Sequence, residues 1–304
     1  MKHPIKSLSL VLLSACISCN PPAKQPGAEM PLWPGGIPDN PVRYAEESVH
    51  TEEANEGSMC EHYRVYSQVS EPAYQLIRPA EGKANGVGMV ICPGGGFRVL
   101  CYDREGIDLG LWLAERGITS LVLKYRTYNS DTPGFSLDRD VYNGEVYADA
   151  RQAIHTLRSR AGELGIDPDR IGIGGYSAGG ALSLHAVLEI LEGELPGYAG
   201  FSTRANPDFA CLIYPGIRES MIRAAAEKSG IPPVFMIVGG EDEVTPPENC
   251  IALYSELKKR KVPAELHVYA KGEHGFDSGI GRGHGVAGWQ DSFIAWLKDM
   301  KIME

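Results

Sequence analysis

Between residues 87 and 269 the chain alternates short apolar runs with longer amphipathic stretches, and few folds accommodate that cadence. The runs are Val87–Cys92, Ile118–Tyr125, Ile171–Ile173, Phe209–Tyr214 and Val234–Val238, with the more mixed Ala264–Tyr269 closing the series. A strand that is apolar nearly throughout has no face to offer water, so it must be covered on both sides. Helical spacing fills the intervals. Ile107, Leu111 and Leu113 precede Gly117, and Ala150, Ile154, Leu157 and Ala161 fall at i, i+4, i+7 and i+11 before Gly165. A further helix spans about Glu248 to Lys259, and Trp289, Phe293, Trp296 and Leu297 form the stripe of a last one. Strand, helix and strand in this order define an α/β fold: a mostly parallel doubly wound sheet with helices on both faces. Tyr74–Arg78 reads as a strand leading into it, the acidic stretch from Glu46 to Glu56 as a solvated connection, and Asp167-Pro-Asp169 as a turn. No internal repeat or low-complexity tract interrupts the pattern.

The first residues read as a targeting segment rather than as fold. Lys2 and Lys6 precede the apolar run Leu8–Ala15, which is too short to span a bilayer as a helix of roughly 20 residues. The run ends in Leu13-Ser14-Ala15-Cys16, similar to the lipobox of bacterial lipoproteins, in which Cys16 becomes lipid-modified after cleavage. A plain secretory signal cut after Ala15 is the competing reading, and Cys19 the competing acceptor. The expected layout is a signal peptide over 1–15, a flexible Pro- and Ala-rich tether over 16–30 and one catalytic domain over 31–304. Both readings export the chain, and the lipoprotein reading anchors it to a membrane, facing the periplasm or the cell surface. Trp33, among prolines, either pins the start of the domain or contributes to a sugar-contacting wall.

Charge and cysteine usage narrow the partners. With 29 basic and 39 acidic residues the formal charge is −10, and loss of Lys2 and Lys6 makes it more negative, which disfavours nucleic acid and anionic lipid. Beyond Cys16 and Cys19 the five remaining cysteines are scattered without a CxxC pair, so neither a disulfide framework nor a zinc site is indicated. Cys92 and Cys101 are read as buried thiols, with pairing as the alternative.

Function concentrates in Gly175-x-Ser177-x-Gly179, where the run Ile171–Ile173 breaks into a helical pattern. A strand that turns sharply into a helix strains the serine backbone, and glycines on either side avoid the clash. A hydroxyl is a poor nucleophile near neutral pH, so acyl transfer demands a base, an orienting acid and donors for the oxyanion. Asp242, in the glycine-loosened loop after Val234–Val238, is the choice of acid over its neighbours Glu241 and Glu243. His274, in Glu273-His-Gly-Phe276 after the last strand, is the choice of base over His284 and His267. Pro93-Gly94-Gly95-Gly96-Phe97 supplies a glycine loop after an early strand. Gly95 or Gly96 is the first oxyanion donor, and the Ala178 N–H the second. The loop lacks P-loop lysine and dinucleotide spacing, so a phosphate cradle is a weak alternative. Phe97, Tyr176 and Phe276 flank these positions, either as a small acyl pocket and sugar platform or as core.

In these stretches, and in Leu32-Trp-Pro-Gly-Gly, Gly117–Arg126, Asp149–Arg160 and Glu241–Asn249, the chain resembles the bacterial acetylesterase and acetyl xylan esterase branch of the α/β-hydrolases. The order Ser177, Asp242, His274 is the order of that fold. The resemblance implies removal of acetyl groups from plant polysaccharide or its oligosaccharides, with no metal or organic cofactor. Ala181 stands where relatives carry histidine shortly after the elbow, and Cys92-Pro93 opens the glycine loop where histidine is usual. The segments Tyr128 to Val146 and Gly193 to Pro207 are the long loops expected to carry specificity. A peptidase or lipase, and a non-catalytic binding lipoprotein, are the competing classes. The stretch before the first strand is too short for the propeller that usually accompanies prolyl oligopeptidases.

Overall fold

The structure, a computed structural model, describes residues 26–37, 44, 46–128, 144–189, 205–282 and 285–304. Its frame is an eight-stranded sheet. In spatial order the strands are β1 (Met30–Pro31), β4 (Ala73–Ile77), β7 (Thr119–Lys124), β5 (Gly86–Cys92), β8 (Ile166–Tyr176), β9 (Phe209–Ile213), β10 (Val234–Gly239) and β11 (Ala264–Tyr269). Every pairing from β7 to β11 is parallel. At the other end β4 joins β7, and β1 joins β4, in antiparallel sense. β7, β9 and β10 are buried at every residue, as continuous apolar runs require. β11 is the outer edge and only partly buried, which accounts for its mixed composition.

Helices cover both faces of the sheet. α2 (Gly144–Ser159), α4 (Ser177–Leu188), α5 (Glu219–Glu227) and α6 (Pro247–Lys259) pack in sequence against one another. α1 (Asp108–Ala114) lies against β7 and β4, while α7 (Trp289–Asp299) sets Phe293 and Trp296 on Phe209 and Phe235. The one-turn α3 (Ala161–Leu164) ends at Gly165, whose left-handed φ of 69° closes the helix stop read from the sequence.

Two local readings are corrected by the structure, and one helix start is more irregular than its spacing indicates. The acidic stretch is a strand: β2 (Ser48–Glu53) pairs antiparallel with β3 (His62–Ser67), which pairs with the short β6 (Val99–Leu100) in a second sheet. All six residues of β2 are exposed, so no apolar alternation marks it. Asp167-Pro-Asp169 is an excursion within β8 rather than a turn before it. Gly86 pairs with Ile166 and Gly88 with Ile171, so the intervening β8 residues bulge out of register. Finally, α1 is entered through a π-helical turn over Asp103–Ile107, in which Glu105 has the non-helical φ, ψ of −109°, 17°.

The N-terminal segment is fastened across the antiparallel end of the sheet. Gly27 N–H donates to Leu76 O at 2.9 Å and Leu32 N–H to Pro72 O at 3.0 Å. Lys124 Nζ reaches Glu29 at 2.7 Å and Glu47 at 2.9 Å. The Trp33 indole N–H donates to Asp149 Oδ1 at 2.9 Å, and Asp149 is ion-paired with Arg126, both fully buried. Trp33 is therefore a pin. Residues 1–15, Cys16, Cys19, His284 and most of the two long loops lie outside the described residues.

Candidate active site

Ser177 sits where β8 passes into α4, with φ +50°. That value is costly for a residue with a side chain and is held here by the packing around it. A Cβ at Gly175 would lie 2.4 Å from Cys92 O, and one at Gly179 would lie 2.0 Å from Cys92 O and 2.5 Å from Pro93 O. Only glycine lets α4 approach the end of β5 so closely. The Ser177 carbonyl accepts from Gly216 N–H at 2.9 Å, which ties the helix start to the segment after β9.

The other two singled-out residues reach the serine from separate loops. His274 Nε2 is 2.9 Å from Ser177 Oγ, and His274 Nδ1 is 2.8 Å from Asp242 Oδ2. For Nε2 to take the serine proton, Nδ1 carries hydrogen and donates to the carboxylate. Asp242 is fully buried at its side chain and His274 about one-fifth exposed, so the acid is shielded while the base faces the cleft. Burial works against the Asp242 charge. The His274 hydrogen bond, with the backbone and hydroxyl donors of Thr245, more than offsets it and holds the carboxyl below the ordinary carboxylate range. None of these rivals is placed to compete: Glu241 pairs with Lys271, Glu243 is exposed where Asp242 is buried, and His267, the rival base in β11, pairs with Glu265.

Around the histidine, sequence reasoning missed Thr245 and Tyr214. Val244 and Thr245 N–H both donate to Asp242 Oδ1, at 3.0 and 2.8 Å. The Thr245 hydroxyl lies 2.9 Å from Asp242 Oδ2, 3.1 Å from His274 Nδ1 and 3.1 Å from the Tyr214 carbonyl. An Asp in a loop tends to take backbone N–H groups just ahead of it in an Asx-type turn, so Asp242 itself was the available signal that this turn forms. Tyr214 sets its ring against His274 at 5.0 Å and Phe276 at 4.6 Å, edge to face. Nothing local in the sequence marks it.

The glycine loop follows β5 and faces the start of α4. Gly94 N–H donates to Glu105, Tyr125 O–H donates to Pro93 O, and the Gly94 and Gly95 carbonyls accept from Cys101, Arg98 and Val99. Among the described residues the Gly95 and Gly96 N–H groups have no such protein acceptor, and the Ala178 N–H is in the open first turn of α4. A Cβ at Gly96 would meet nothing within 4 Å. The aromatic residues beside these positions are inside the fold. Phe97, Tyr176 and Phe276 are 2, 1 and 4 % exposed, and Tyr176 packs on Tyr214 and Trp289 beneath the elbow. Cys92 and Cys101 are free, and burial pushes both thiols up to about 12.

A nucleophile on a strand-to-helix elbow, backed by an imidazole and a shielded carboxylate at the ends of parallel strands, defines the α/β-hydrolase fold, and this chain has it. Residues 144–229 match the family model described as alpha/beta hydrolase fold, and residues 218–301 match the prolyl oligopeptidase family. The chain is 27 % identical over 213 residues to an acetylxylan esterase of Xylanibacter ruminicola, covering 64 % of this chain and 42 % of that protein. It is 27 % identical over 240 residues to endo-1,4-beta-xylanase B of Butyrivibrio fibrisolvens, covering 70 % of this chain and 36 % of that one. The chain thus spans less than half the length of these curated relatives. An acetyl ester-xyloside bifunctional hydrolase from Caldicellulosiruptor lactoaceticus superposes with a TM-score of 0.66 at 22 % identity, covering 91 % of this chain and 98 % of that one.

Proposed function

We propose that this chain is a serine carboxylic ester hydrolase that removes acetyl groups from acetylated polysaccharide or oligosaccharide of the xylan type. The observation that carries the reaction class is the unbroken relay from Ser177 Oγ through His274 to Asp242, at 2.9 and 2.8 Å. In the first step Ser177 Oγ attacks the ester carbonyl while His274 Nε2 takes its proton. Asp242 stabilises the imidazolium. The carbonyl oxygen becomes an oxyanion held by the N–H groups of Gly95 or Gly96 and of Ala178. Collapse expels the sugar oxygen, which takes the proton back from His274 and leaves an acetyl-serine. Water then attacks the acetyl carbon, again deprotonated by His274, and acetate departs as Ser177 is restored. The choice of acetylated sugar rests on similarity to the acetylxylan esterase.

The lipobox-like Leu13–Cys16 supports the further reading that the enzyme acts outside the cytoplasm, tethered by lipid on Cys16. Incorporation of labelled palmitate that Cys16→Ser abolishes would support the anchor; equal labelling of both proteins would remove it. A fluorophosphonate probe tests the reaction class, since it should label Ser177 in folded protein, and absence of labelling would sink the esterase reading. For the substrate, acetate release from acetylated xylan is compared with short aryl esters, acetylated pectin and peptides. Release from aryl esters alone would defeat the polysaccharide assignment. Peptide cleavage would instead favour the prolyl oligopeptidase resemblance over residues 218–301.

A further inference from the structure

We propose that Glu105 is a positioning residue for this reaction: it fixes the glycine loop against the histidine loop, so that oxyanion donors and general base are set relative to each other. The inference rests on the esterase reading and concerns how its parts are held.

The loop's backbone is accounted for peptide by peptide. Pro93 O accepts from the Tyr125 hydroxyl at 2.6 Å, and Gly94 N–H donates to Glu105 Oε2 at 2.7 Å. Gly94 O accepts from Cys101 N–H at 3.0 Å, and Gly95 O from Arg98 and Val99 N–H at 3.1 Å each. The next two donors, on Gly95 and Gly96, have no protein acceptor among the described residues. Glu105 is thus the side chain that fixes the last peptide N–H before them. It lies tightly against the loop: a Cβ at Gly94 would stand 2.5 Å from Glu105 Oε2 and 3.1 Å from Ser177 Cβ.

Glu105 gets there by a local irregularity. It occupies the π-helical turn ahead of α1, with non-helical backbone angles, and such turns recur where a side chain must be redirected at a functional site. Its other oxygen, Oε1, accepts from the Tyr214 hydroxyl at 2.9 Å. That hydroxyl in turn accepts from Asp277 N–H at 3.3 Å and lies 3.5 Å from Asp277 Oδ1. Asp277 follows His274 by three residues, and the Tyr214 carbonyl lies 3.1 Å from the Thr245 hydroxyl beside the acid. One tyrosine therefore joins all three loops. A buried carboxyl is a costly way to fill space. Burial, with the Asp277 charge adding to it, pushes the Glu105 carboxyl up to about 7. Leucine would pack there without that cost, so the acid's reach to two donors is its distinguishing property.

The test uses the full-length enzyme, an acetyl ester substrate and a trifluoromethyl ketone, which forms a tetrahedral oxyanion on the serine. Glu105→Gln keeps an acceptor for Gly94 and a partner for Tyr214, and should keep kcat within about threefold. Glu105→Asp is one methylene short. It should lose about 10- to 100-fold in kcat with KM within about twofold, a loss smaller than or comparable to removal of an oxyanion donor. Its inhibition constant for the ketone should rise by the same factor. Tyr214→Phe should fall between the two. A kcat of Glu105→Asp within twofold of wild type overturns the proposal, as does a loss in Glu105→Gln equal to that in Glu105→Asp. Should Glu105→Asp fail to fold, Tyr214→Phe decides by the same readouts, with unchanged kcat and ketone affinity overturning it. Activity retained by Ser177→Ala would instead defeat the underlying esterase reading, whatever Glu105 does.

Discussion

The serine and the histidine of this site are held by opposite means. Ser177 is placed by backbone crowding, with Gly175, Gly179 and the end of β5 so close that no side chain fits between them. His274 is placed by side chains, through Thr245, Tyr214, Asp242 and Asp277, on a loop that follows the sheet's outermost strand. Crowded backbone is all-or-none, because a clash of atoms admits no partial solution. A hydrogen-bonded network is graded, because each member can be removed singly. The first kind of support fixes the nucleophile, and the second leaves the base adjustable.

The comparison can be broken first at its two poles. Ser177→Ala should lower turnover by about 10⁶-fold with the fold intact, as loss of a triad nucleophile does; steady-state kinetics and a thermal melt check both halves. Asp242→Asn should lower kcat by about 10⁴-fold, since the amide leaves the imidazole in the wrong tautomer. Near-normal turnover in that variant would return Glu241 or Glu243 to contention. Supports come next. Gly179→Ala puts a methyl 2.0 Å from Cys92 O, so it should cost at least about 10²-fold in kcat and also lower the melting temperature. Thr245→Val removes one hydroxyl from the histidine side and should cost only about 10-fold, with little change in melting. Similar losses in both supports would erase the distinction between crowding and network.

The smallest expected effect sharpens the picture through pH. Burial raises the Glu105 carboxyl from 4.5 to about 7, so the folded state holds this proton more tightly than the unfolded one. Its contribution to stability is greatest below the unfolded value and is lost as pH rises toward 7. Asp277, shifted the same way by burial, loses stability in the same sense. Relative to wild type, Glu105→Gln should therefore gain stability from pH 4.5 to 7 and hold a constant advantage above. Urea unfolding at several pH values measures it, and parallel curves for the two proteins would show that Glu105 is not desolvated.

Legibility in the sequence follows the same division. The elbow could be read because its mark is local: the two glycines stand two positions either side of Ser177, although the atoms they make room for include the distant Cys92 and Pro93 carbonyls. The parallel strands could be read because burial on both faces writes itself as an unbroken apolar run. β2 could not, since a strand exposed on every residue leaves no apolar mark, and β1 and β6 are two residues each. The small-residue helix α5 has only Met221 and Ala225 buried and carries no apolar stripe for a related reason. Ser177, Asp242 and His274 are legible from their position in the cadence, whereas Tyr214 and Glu105 are not. Their significance lies in meeting each other across 109 residues of chain, and no window along the sequence contains both.

The fastening of the N-terminal segment has a mechanical side. From Gly27 to Trp33 the chain runs alongside β4, bonded at Gly27, β1 and Leu32 and riveted by Lys124 and Asp149. A pull directed along that segment loads these bonds together, as sliding, rather than one after another, as peeling. The load enters at the antiparallel end of the sheet and is separated by β7 and β5 from the strand that carries the serine. Tension at that end is thus shared among β4, Lys124 at the end of β7 and, through Trp33, Asp149 of α2.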